Sequence, residues 1–157
     1  MEAAADWDHL LTPETYLGYA RGDHFASPGG VAPDERRAYV FPERLRSNHW
    51  ALAGEWTIER ENVVLDQADG SIAFGFHARD AHLVLAHRAR EPISFRVLLD
   101  GEAPGASHGV DVDEEGNGVL QDARMYQLVR QQDAVRDRTL EIAFLAPGVE
   151  AHAFTFG

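Results

Sequence analysis

Trp50-Ala51-Leu52-Ala53-Gly54-Glu55-Trp56-Thr57-Ile58 decides the fold. Trp50, Leu52, Gly54, Trp56 and Ile58 fall on one face, and Ala51, Ala53, Glu55 and Thr57 on the other. A period of two is that of a half-buried strand, not of a helix. Working outward toward the C-terminus, Val63 and Leu65 begin a second run and Asp69-Gly70 supplies a hairpin-type turn. Ile72, Phe74 and Phe76 then alternate with Ala73, Gly75 and His77, and Arg79-Asp80 precedes His82-Leu83-Val84-Leu85. Phe95, Val97 and Leu99 end at the Asp100-Gly101 turn. Gly109 to Asp113 is expected as a short strand, Glu114 to Gly118 as turn, and Met125 to Arg130 as strand. Leu140, Ile142 and Phe144 alternate cleanly, and Pro147-Gly148 turns into a last strand carrying Phe154 and Phe156. Short strands joined by Gly, Asp and Pro turns specify an all-β fold, an antiparallel β-sandwich or barrel.

Toward the N-terminus the character changes. Thr12-Pro13-Glu14 has the order of a helix start, a capping hydroxyl, a proline and an acidic first turn. Gly18 and Gly22 would keep such a helix short, and Ser27-Pro28-Gly29-Gly30 is loop. Residues 1–35 therefore form a short helical or irregular arm, anchored by Tyr16, Leu17 and Phe25, ahead of a sandwich over 36–157.

Composition narrows the chemistry. The 157 residues include no cysteine, so thiol catalysis, disulfides and Cys-ligated zinc are excluded. All 14 basic residues are Arg and none is Lys, which removes Schiff-base chemistry and the P-loop lysine. A net charge of −12 repels nucleic acid and anionic membrane alike, so neither is an expected partner. No apolar run is long enough to insert in a bilayer, and the first residues lack the basic start and apolar core of a secretory signal.

Several motifs carry possible chemistry. Across Asp111–Asp122, Asp111, Asp113 and Glu115 take positions 1, 3 and 5 of a calcium loop. Gly116 takes its turn, Asn117 its carbonyl position and Asp122 position 12. Calcium at this loop is the one cofactor the sequence offers. The competing reading is an acidic hairpin turn whose glycines supply positive φ. His77, His82 and His87 are five residues apart and lack the HExxH spacing of a zinc site. No serine lies in a GxSxG elbow, and the acidic residues show no spacing that singles out a catalytic pair. Among the aromatics, Trp50 and Trp56 share the core face, while Tyr39 and Tyr126 are the better sugar-stacking platforms, with Arg130 nearby to hydrogen-bond hydroxyls.

Taken together, TPETYLGYARGDHFASPGG (12–30), NHWALAGEW (48–56), FHARDAHLVL (76–85), FRVLLDG (95–101), GVDVDEEGNG (109–118), YQLVR (126–130) and AHAFTFG (151–157) resemble one family. It is the thioredoxin-like C-terminal domain of DipZ-type thiol–disulfide interchange (cytochrome c biogenesis) proteins. The resemblance implies a carbohydrate-binding-module-like sandwich of jelly-roll type and an extracytoplasmic location. It also implies that residues 1–35 hold the junction to a preceding thioredoxin-like domain, whose CxxC cysteines carry the family's redox chemistry. The expected function is then a non-catalytic glycan-binding module. The alternative is a structural or protein-interaction domain that packs on the thioredoxin-like domain, orients its substrates, and dimerises through an apolar patch of Trp7, Tyr16 and Phe25. A carboxylate-based or calcium-assisted enzyme is a third, more remote reading.

Overall fold

A computed structural model describes residues 4–157; the first three residues of the arm read over 1–35 lie outside the described residues. Eleven strands follow one another: β1 (Thr15–Tyr16), β2 (Arg37–Tyr39), β3 (Trp50–Ile58), β4 (Val63–Leu65), β5 (Gly70–Phe76), β6 (Asp80–His87), β7 (Ile93–Leu99), β8 (Asn117–Leu120), β9 (Arg124–Arg130), β10 (Arg138–Phe144) and β11 (Val149–Phe156). One 3₁₀ turn at Gly105–Ser107 is the only helical element among the described residues. Every paired strand runs antiparallel to its neighbours, in the order β8-β7-β10-β5-β3-β4-β11-β6-β9, with β1 added to β11 and β2 to β3.

The decisive stretch does more than form a strand. Trp50–Ala53 of β3 pairs with β5, whereas Trp56–Ile58 pairs with β4 and Gly54–Trp56 with β2. β3 therefore belongs to both layers of the sandwich, and the changeover falls at Gly54. That residue has φ +98°, and a Cβ there would stand 2.9 Å from the Cα of Gly70. Only glycine combines this backbone with so close a crossing. One layer is then β8, β7, β10, β5 and the first half of β3, and the other is the second half of β3 with β4, β11, β6 and β9. A bridge between His108, in the β7–β8 connection, and Val129 of β9 ties one layer to the edge of the other, so the sheet is curled.

The core lies between the layers. Ile93, Phe95, Val97 and Leu99 point inward from β7 while Ser94 and Arg96 point out, as the alternation requires. Aromatic pairs join the two layers: Phe95 meets Tyr126 edge to face at 6.1 Å, Phe74 meets Phe154 at 4.8 Å, and Trp56 meets Phe144 at 6.3 Å. Such pairs add about 0.5–1.5 kcal/mol each beyond their area burial.

Three local expectations change. No helix starts at Thr12. Its hydroxyl instead donates to Asn48 Oδ1 and accepts the N–H of His77, both at 2.7 Å, so it caps the end of β5 rather than a helix. Thr15 and Tyr16 then extend along β11, and Leu17 is buried in the core. Gly109–Asp113 is turn rather than strand, because the Asp111 carboxylate accepts the N–H of Gln127 and diverts the chain from regular pairing. Asn117 and Gly118, expected as turn, open β8 opposite Arg96 and Phe95.

Candidate functional site

The sheet aromatics do not form a platform. Tyr39, Tyr126, Trp50 and Trp56 are all buried, and each polar tip is spent on backbone. The Tyr39 hydroxyl accepts the N–H of Ala32, and the Tyr126 hydroxyl donates to the carbonyl of Asp122 at 2.8 Å. The Trp50 and Trp56 indoles donate to the carbonyls of Asp23 and Ala53. Their rings have no free face for a sugar, and Trp50 meets solvent only as the floor of a hollow it shares with Phe25 and His24.

The Asp111–Asp122 loop is held by its own donors. Arg124 grips Asp111 through both carboxylate oxygens, at 2.9 and 3.1 Å. Asp113 Oδ1 accepts the backbone N–H groups of Glu115 and Asn117, and the Asn117 bond foremost holds its carboxyl below the usual range. Glu115, Asn117 and Asp122 are exposed. Among the described residues no three His, Asp or Glu side chains converge as a metal-binding group. These contacts are those of an Asx-type turn.

Arg130 is likewise committed elsewhere. Burial alone would raise the pKa of Asp80, which is 2% exposed, but two guanidinia outweigh it and hold the carboxyl below its ordinary range. Arg79 and Arg130 each grip Asp80 through both oxygens, at 2.9–3.0 Å. The three histidines spaced five apart also have separate partners: His77 bonds Asp137, His82 contacts Thr155, and His87 Nε2 bonds the Gln121 carbonyl.

A hollow of about 590 Å³ lies instead on the outer face of the β11 layer. Its floor comes from a β-bulge. Ala151 of β11 faces Leu85, and Ala153 faces Val84, so His152 is the extra residue. A bulge re-aims side chains locally. Here His152, Ala153 and Thr155 all line the hollow, although strict alternation would send neighbours to opposite faces.

The wall comes from the N-terminal segment, which is stitched along β11 and the β3–β4 turn. The N–H of Leu17 donates to the His152 carbonyl, and those of Tyr19 and Ala20 donate to the carbonyls of Glu59 and Arg60. Gly18 permits this approach, since a Cβ there would sit 2.3 Å from the Glu61 backbone. The segment places the Tyr16 ring in the hollow with the Arg21 guanidinium 3.7 Å from the ring centroid. The Tyr16 hydroxyl donates to the Glu14 carboxylate, and this bond is the main cause of a raised phenol pKa. Arg60 and Glu61 form the opposite rim.

The hollow thus combines one aromatic ring, two guanidinia, two carboxylates, an imidazole and a hydroxyl. Such a set offers donors and acceptors to a polar ligand and a flat apolar surface to a ring. In the sequence Tyr16 reads only as an anchor of the arm, and no motif singles out His152. The usable signal was the odd spacing of polar His152 and Thr155 in an alternating strand, which marks the bulge.

An all-β sandwich whose surface hollow is walled by its own N-terminal segment is the class of module defined here. The chain belongs to the thioredoxin-like C-terminal domain family, which it matches over residues 12–157. It is also similar to the proteins named Protein DipZ of Mycobacterium bovis and Mycobacterium tuberculosis, each 36% identical over 76 residues. That alignment covers 48% of this chain and 11% of each relative, so the chain spans only a small part of their length. Among the described residues no helix is long and apolar enough to cross a membrane.

Proposed function

We propose that the chain is a non-catalytic glycan-binding module of a thiol–disulfide interchange protein, acting on the extracytoplasmic side, with the Tyr16 hollow as its binding site. The observation that carries this reading is the convergence of the Tyr16 ring with Arg21, Arg60, Glu61 and His152 in one open hollow of about 590 Å³. Its volume falls within the roughly 300–1,000 Å³ that suits a small-molecule ligand. One face of the Tyr16 ring carries the Arg21 guanidinium, so a sugar would pack against this ring–guanidinium stack while the guanidinia and carboxylates hydrogen-bond its hydroxyls. The chain holds no cysteine and so no thiol for redox chemistry; in this reading that chemistry would belong to a separate thioredoxin-like domain, as the family resemblance implies.

A glycan array probed with the purified chain tests this, run with calcium and again with chelator. Binding to one sugar class in both conditions, lost on Arg60→Ala, is the expected result. An array blank in both conditions overturns the glycan reading. A protein-interaction role is the second reading, and the exposure of Trp7 (78%) and Leu11 (65%) favours it. Phe25 packs on Tyr39 and Trp50, whereas Tyr16 and Trp7 line hollows that share Glu14 and Thr155. Saturable binding of a thioredoxin-like domain, lost on Trp7→Ala, supports that role.

A further inference from the structure

A second hollow of about 430 Å³ adjoins the first, and the two share Glu14 and Thr155 in their linings. The shared residues make them consecutive stations along one face rather than separate sites. Trp7, Leu10 and Phe156 line the second hollow, so it has an indole as the first has a phenol. Trp7 is 78% exposed, while its polar neighbours at the junction, Glu14 and Thr155, are placed to meet hydroxyls between the two rings. Neither hollow is an enclosed cavity. A site for a terminal sugar needs a blind end, whereas an open trough admits the interior of a chain.

We infer that the ligand is a linear oligosaccharide laid across both hollows, with one stretch over Tyr16 and the next over Trp7; this rests on the glycan reading above. Each hollow alone has the volume of a small-molecule site, so a ligand that fills both must be longer than one or two rings. The second station adds contacts without a second full loss of translational freedom, so affinity rises with chain length until both are filled.

Isothermal titration with cello-, chito- and manno-oligosaccharides of two to six rings tests the inference. The expected result is an affinity gain of about tenfold between two and six rings in at least one series. Trp7→Ala abolishes that gain, while Arg60→Ala weakens short and long ligands alike. Both side chains are exposed, and an unchanged melting temperature confirms the fold of each variant. Equal affinity for short and long ligands, or a length gain that survives Trp7→Ala, overturns the two-station inference and leaves the Tyr16 site standing. No binding at any length, together with a blank array, overturns both.

Discussion

Tryptophan and tyrosine occur in two regions of this molecule and do opposite things there. In the sheets, Trp50, Trp56, Tyr39 and Tyr126 are buried and hydrogen-bonded to backbone. In the N-terminal segment, Trp7 stands 78% exposed and Tyr16 lines an open hollow. The side-chain types are the same, so chemistry alone does not separate a platform from a core residue. The difference is whether a strand's alternation delivers the ring to the interlayer space. In the sheets it does. In the segment the only strand among the described residues is the two-residue β1, and the ring positions are set by the β11 edge and the β3–β4 turn.

Mutations sharpen that comparison, beginning with the largest effect. Trp56→Ala empties a site with no solvent access and is expected to cost about 3–5 kcal/mol, read as a fall in the denaturant midpoint. A loss near zero would mean the sheet aromatics are not the core. Asp80→Asn leaves Arg79 and Arg130 facing each other and is expected to cost about 3 kcal/mol at neutral pH. The folded carboxyl lies below its unfolded value of about 3.9, so its contribution is present above that value. It is lost as pH falls through the folded-state pKa, and wild type and variant should converge in acid unfolding series below about pH 4. A gap that persists undiminished there would contradict the ion-pair account.

Gly18→Ala forces a methyl against the Glu61 backbone, at an expected cost of about 1–3 kcal/mol by thermal unfolding. Since Gly18 also lines the hollow, sugar binding should weaken in parallel. Trp7 is 78% exposed, so Trp7→Ala should stay within about 0.5 kcal/mol of wild type. A larger loss would place Trp7 in the core account rather than the site account.

The strands were legible because their patterning is local. Phe95 to Leu99 and Leu140 to Phe144 alternate without interruption, and their inward residues are the ones found buried. In Trp50 to Ile58 the inward Trp and aliphatic residues are buried, but Ala51 is buried as well and Gly54 only partly, where the strand changes layers. Thr12 misled because a hydroxyl before Pro-Glu has the same appearance whether it caps a helix or reaches His77, 65 residues away. The Asp111–Asp122 spacing was ambiguous for a related reason. Carboxylates at alternate positions suit a cation, but they equally suit the N–H groups of their own turn and the guanidinium of Arg124. The Tyr16 hollow was the hardest to see, since its parts come from residues 14–21, 60–61, 84 and 152–155. Only the bulge at His152 and the docking of the N-terminal segment bring them together.

The most direct test of the central claim is a nitrogen–proton NMR titration of the chain with the sugar class its array selects. The account predicts that the shifting amides cluster at Tyr16, Arg21, Arg60, Glu61, His152 and Thr155, with those of Tyr39, Trp56 and Tyr126 unmoved. Shifts centred on Asp111–Asp122, or spread over the sheet aromatics while the Tyr16 region stays still, would contradict it.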